Sequence, residues 1–214
     1  MSSPALISLL IVVFAGSCMA EYLGLRVANS LPAKRRKWLA AVLLLVCGSA
    51  LGAFRKSAVV TDYSVLLAAL ILGTLLSRLI RSFRALAILL IVGAIADLVS
   101  FYAGSLLVQA QHNPHAAATL RYLVVSVWIK REMFAVIGVT DLIFFTTCVC
   151  VTQRLGWPEP WPLITPLVGL LSALGVGLVV GPTPALPFLA AAVLLFGYGS
   201  RPFRQSWARM GRGP

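Results

Sequence analysis

Between Arg84 and Arg121 the chain carries one charged residue, Asp97, and between Glu132 and Arg154 it again carries one, Asp141. Apolar runs of this length leave few folds open. The hydrocarbon core of a bilayer is crossed by about 20 apolar residues in a helix. In lipid, every backbone N–H and C=O must find its partner within the protein, which only helices and closed barrels achieve. The rest of the chain repeats the pattern: 60% of residues are hydrophobic, 11% are charged and the mean hydropathy is +0.95. A soluble domain carries roughly 25% charged residues. The sequence therefore predicts an all-α, multi-pass membrane protein, with residues 1–214 forming a single transmembrane domain.

Seven spans are expected, over 4–25, 38–54, 63–80, 85–109, 133–153, 163–180 and 184–200, making a seven-helix transmembrane bundle. The first could be mistaken for a signal peptide, because Ser17-Cys18-Met19-Ala20 offers small residues. No Lys or Arg precedes its apolar region, however, so a retained helix is expected. The run 122–129, Tyr-Leu-Val-Val-Ser-Val-Trp-Ile, is too short to span as a helix and is rich in β-branched and aromatic residues, which suit a strand. Trp157, Pro158, Pro160, Trp161 and Pro162 read as a rigid interfacial turn, and Gly181-Pro182-Thr183-Pro184 breaks the chain again. Gly138, Gly169, Gly175 and Gly177 are read as points of close helix contact, as small residues are in membranes.

The net charge of +12 lies in loops and at the C-terminus. With seven spans, thirteen Lys and Arg fall on one side (26–37, 78–84, Arg154 and the tail) and five on the other. The richer side is expected to be cytoplasmic, which places the N-terminus outside and the C-terminus inside. The same count turns the charge away from nucleic acid and toward the lipid bilayer. Cys18, Cys47, Cys148 and Cys150 all sit in apolar runs and read as small helix residues. His112 and His115 give two ligands in a polar loop, too few for a metal site; no metal or cofactor is expected.

An ionisable side chain at membrane depth is costly and marks a functional site by default. The fourth and fifth spans are consecutive and antiparallel. Asp97 lies ten residues from Leu107, roughly 15 Å at helical rise, and Asp141 eight residues from Met133, roughly 12 Å. The two carboxylates are thus expected at similar depth. Two carboxyl groups held close together do not both ionise easily, so one keeps its proton. Such a pair offers a base to activate water and an acid to protonate a carbonyl. It is equally what a proton or ion relay in a transporter needs, or a structural hydrogen-bonded pair.

The surrounding residues break that tie. Gly138-Val139-Thr140-Asp141 and the apolar-aromatic run behind it resemble the Gly-x-Gly-Asp segment of the presenilin and signal peptide peptidase family. Ala96-Asp97-Leu98-Val99 resembles that family's Tyr-Asp segment, and Pro184-Ala185-Leu186 its Pro-Ala-Leu motif at the start of the last helix. The similarity covers roughly 84–204. It implies a catalytic core over 84–204 behind three N-terminal helices over 1–83, with Asp97 and Asp141 catalytic and Gly138, Thr140, Pro184, Ala185 and Leu186 lining the substrate site. It further implies transmembrane helices or signal peptides as substrates, unwound near the site and paired as a strand beside the 122–129 run. Ala96 stands where the family has Tyr, and Thr140 where it has its second Gly. A catalytically weak relative that binds membrane helices without cutting them is therefore the first alternative, and a proton- or ion-coupled transporter the second.

Overall fold

The structure, a computed structural model, describes residues 58–103, 124–129, 132–181 and 183–199, together with Gly16, Cys18, Met19, Tyr22, Leu23 and Arg26. Five helices and one hairpin have defined bounds among them: α1 (Ala58–Leu79), α2 (Phe83–Tyr102), β1 (Val124–Ile129), β2 (Glu132–Gly138), α3 (Val139–Arg154), α4 (Trp161–Val180) and α5 (Leu186–Gly199). The six described N-terminal residues are also helical. The expected second span, 38–54, and most of the first lie outside the described residues.

Two helices, α2 and α4, are long and apolar enough to cross a membrane, and α5 and the Leu66–Leu79 part of α1 are shorter apolar helices. The outward face of α2 supports the membrane reading. Ile88, Val92 and Val99 are 64%, 59% and 61% exposed. A soluble protein rarely leaves so continuous an apolar face uncovered, whereas lipid covers it at no cost. In α3, by contrast, Leu142, Phe145, Thr146, Thr147, Cys148 and Val149 are all buried. A helix buried on successive positions occupies the middle of its bundle.

The contacts follow from small residues. α1 packs along α3, α2 along α5, and α4 against both α3 and α5. At Gly73 on α1, a Cβ would lie 2.6 Å from Thr146 Cβ and 2.7 Å from the Ile143 carbonyl oxygen, so only glycine permits this approach. The Thr147 hydroxyl is shared between the Ile143 carbonyl in its own helix, at 2.7 Å, and the Gly73 carbonyl of α1, at 3.2 Å. Gly169 does for α4 and α5 what Gly73 does for α1 and α3: a Cβ there would lie 2.6 Å from Leu189 Cα. Gly175, read from the sequence as another close contact, is exposed and has nothing within 4 Å of such a Cβ.

Short connections fix the helix ends. Ser82 caps α2, its hydroxyl oxygen accepting from the Ala85 N–H at 3.2 Å. Arg154 closes the end of α1, donating through Nη1 to the Ser77 and Ile80 carbonyls at 2.9 and 3.2 Å. Glu159, between α3 and α4, accepts from the Tyr22 hydroxyl at 3.0 Å and pairs with Arg26 at 3.1 Å. Cys18 and Tyr22 lie in the same core as α3.

The largest departure from the sequence reading is at the fifth span, expected to start at residue 133. Residues 132–138 instead form β2, which pairs antiparallel with β1, and the helix starts at Val139. Met133, Phe134, Val136 and Ile137 have the composition of a strand as much as of a span, and β1 supplies the partner that settles the choice. The register slips between Val125 and Ser126, leaving Val136 opposite no residue. Elsewhere the shifts are smaller. α1 opens at Ala58, so Asp62 is inside the helix and not in a loop, and Trp161 and Pro162 form the first turn of α4. α2 is bounded at Tyr102, with the Ala103 N–H donating to the Val99 carbonyl at 2.8 Å, and the rest of the expected span to 109 lies outside the described residues.

Candidate aspartate site

Each aspartate is held by a backbone N–H. Gly138 ends β2 in an extended conformation, φ −77° and ψ 152°, and serves as the N-cap of α3. Asp141, three residues on, reaches back so that the Gly138 N–H donates to its Oδ2 at 3.2 Å. This is one half of a capping box; Gly138 has no side chain to return the other half. The free N–H groups and positive end of the helix dipole at this first turn favour a carboxylate there.

Asp97 sits on the inward face of α2, half-buried, five residues before Tyr102. Its partner comes from the far end of the chain. The Leu186 N–H donates to Asp97 Oδ2 at 3.1 Å, and the Ala185 backbone also interacts with the carboxylate. The reason lies in the 181–185 connection. Gly181 has φ +108°, a conformation open to glycine, and it turns the chain out of α4. Leu186 then starts α5, so its N–H has no acceptor within that helix. Thr183 steadies the turn by donating from Oγ1 to the Ala173 carbonyl at 3.2 Å.

α2 and α3 touch where Gly93 meets Phe144, about one turn from each aspartate, so both carboxyl groups face one site. No family model matches the chain, and no curated protein or solved structure matches it. The chemistry therefore rests on the residues themselves. Two carboxylates at one site, each with an oxygen fixed by a backbone donor, can take a proton from one reactant and give a proton to another.

Of the residues singled out in the sequence, Asp97, Asp141, Gly138, Ala185 and Leu186 come together around the two carboxyl groups. Leu186 is buried, Pro184 and Ala185 are half-buried, and Thr140 is exposed beside Asp141. Ala96 is also exposed, on the outward side of α2. The depth expected for Asp141, eight residues into a helix, is corrected: it is the third residue of α3, because β2 takes the preceding segment. His112 and His115 lie outside the described residues. Two residues near the site were missed, Gly93 and Phe144, whose contact is visible only once α2 and α3 are set side by side.

Proposed function

We propose that this chain is an intramembrane aspartyl protease of the presenilin and signal peptide peptidase type. The observation that carries this reading is the meeting of Asp97, Asp141 and the Ala185–Leu186 backbone at one site. In the proposed reaction one carboxylate accepts a proton from water as the water oxygen bonds to the peptide carbonyl carbon. The other carboxyl gives its proton to the carbonyl oxygen. Return of a proton to the amide nitrogen then breaks the C–N bond. Gly138 and Leu186 hold the two acids in place by hydrogen bonds that need no side chain.

The substrates proposed are transmembrane segments or remnant signal peptides, opened locally so that their carbonyls reach the acids. β1 already has one edge committed to β2, so a substrate strand would add to an edge that remains. Peptide capture by strand addition satisfies backbone groups that lipid leaves bare. The full bundle is proposed to have seven helices, with the N-terminus outside and the C-terminus in the cytoplasm, from the thirteen-to-five division of Lys and Arg. A C-terminal alkaline phosphatase fusion should be inactive and a fluorescent protein fusion bright; the reverse would overturn the orientation. The activity itself is tested by cleavage of a single-span reporter in proteoliposomes. Wild type should cut it and Asp141→Ala should not; an intact reporter with wild type would leave at most a helix-binding protein.

A further inference from the structure

Asp97 and Asp141 are on α2 and α3, yet these helices share no long seam, since α2 packs chiefly along α5 and α3 along α1. The separation of the two carboxylates therefore depends on the docking of α5 along α2 and on the few places where α2 and α3 touch directly. One of these is Gly93 against Phe144. A Cβ on Gly93 would lie 2.7 Å from Phe144 Cζ and 2.8 Å from Cε1, so the ring edge occupies the space where any other residue would carry its side chain. Gly93 precedes Asp97 by four residues and Phe144 follows Asp141 by three. At these spacings each shares a helix face with its aspartate. The contact lies about one turn deeper on both helices, roughly 6 Å along α2 and 4.5 Å along α3. Burial agrees: Leu86 and Leu90 are buried and Gly93 and Asp97 half-buried on one stripe of α2, while Ile91, Val92 and Ile95 are exposed on the other side.

We infer that the Gly93–Phe144 contact is the spacer that sets the distance between Asp97 and Asp141, and that Gly93 and Phe144 are positioning residues for the pair. Its catalytic meaning rests on the protease reading; the spacing does not. A side chain at 93 must displace either the ring or the whole of α2. Leucine exceeds what ring movement alone absorbs, so α2 moves and carries Asp97 away from Asp141. Removing the ring should let the helices close again around the added side chain.

The full chain in proteoliposomes, as Gly93→Ala, Gly93→Leu, Phe144→Ala and Gly93→Leu with Phe144→Ala, tests this through two readouts. The first needs no activity. With Cys18, Cys47, Cys148 and Cys150 replaced by alanine, Asp97→Cys and Asp141→Cys are bridged by thiol reagents of graded length. The shortest reagent that bridges the parent should fail with Gly93→Leu and succeed again in the double variant. The second is kinetic. A misplacement near 1 Å costs on the order of 100-fold in rate, so Gly93→Leu should lower kcat by about that much with little change in KM. The double variant should return to the level of Phe144→Ala. Gly93→Ala should lower kcat several-fold without lowering thermal stability, since alanine is the better helix former. An unchanged bridging length in Gly93→Leu overturns the spacer whatever the kinetics. If that variant does not accumulate, unchanged bridging and kcat in Gly93→Ala overturn it instead. If wild type cuts nothing while bridging still follows residues 93 and 144, the protease reading falls and the spacer stands.

Discussion

Asp97 and Asp141 are held by the same kind of bond from opposite extremes of sequence distance. Asp141 takes the N–H of Gly138, three residues before it, and Asp97 takes that of Leu186, 89 residues after it. The first bond forms whenever a strand ends at Gly138 and a helix begins at Val139. The second exists only when α5 docks along α2 with its first residue at the right height. One acid is thus placed by local backbone geometry and the other by the assembly of the bundle. A hydrogen bond to a charged group contributes about 1.5–3 kcal/mol, so each tether matters, but they should fail under different insults.

The largest separation of the two should come from Gly169→Ala. The added methyl meets the Leu189 backbone, which cannot rotate away. Overpacking of this kind costs roughly 1–3 kcal/mol, and here it pushes α5, with Leu186, off its seat. Thermal unfolding in detergent should shift down and reporter cleavage should fall, although Asp141 and its cap are untouched. Normal stability and cleavage would mean that α5 docking does not govern Asp97.

A smaller effect is expected at the local tether. A Cβ on Gly138 would lie 3.0 Å from Asp141 Oδ2, so Gly138→Ala moves the carboxylate by a few tenths of an ångström. Given that about 1 Å costs on the order of 100-fold, cleavage should slow by roughly three- to tenfold with melting unchanged. A loss of stability in place of a loss of rate would recast Gly138 as a folding residue.

Least of all is expected from Thr147→Val. It removes the hydroxyl shared between Ile143 and Gly73, on the seam of α1 and α3, away from both tethers. It should cost about 0.5–1.5 kcal/mol while leaving kcat where it was. A fall in kcat as large as that of Gly138→Ala would show that the α1–α3 seam also positions Asp141.

The same local-versus-assembled contrast decides what could be read from the sequence. Uninterrupted apolar runs located α2, α4 and α5 to within two residues at their starts and α1 to within five, because long apolar runs of this kind favour helices. The start of α3 was misread. Residues 133–138 are apolar and β-branched, and a short apolar run cannot be assigned to helix or strand by periodicity; only pairing with 124–129 distinguishes them. The resemblance at Pro184-Ala185-Leu186 points to the substrate site, and the Leu186 N–H lies at Asp97. Gly93 gave no such sign. A single glycine within an apolar helix carries no record of which ring will rest on it, and that partner lies 51 residues further along the chain.

The central claim is that Asp97 and Asp141 act as one unit, and a double-mutant comparison of peptide cleavage tests it most directly. Asp97→Asn, Asp141→Asn and the combined variant are each assayed on the single-span reporter in proteoliposomes, with folding verified by thermal melting. Because residues that act together are strongly non-additive, each single change should remove cleavage by at least about 10⁴-fold, and the combined variant should be no worse. Measurable turnover in either single variant, or a combined loss equal to the product of the two, would contradict the account.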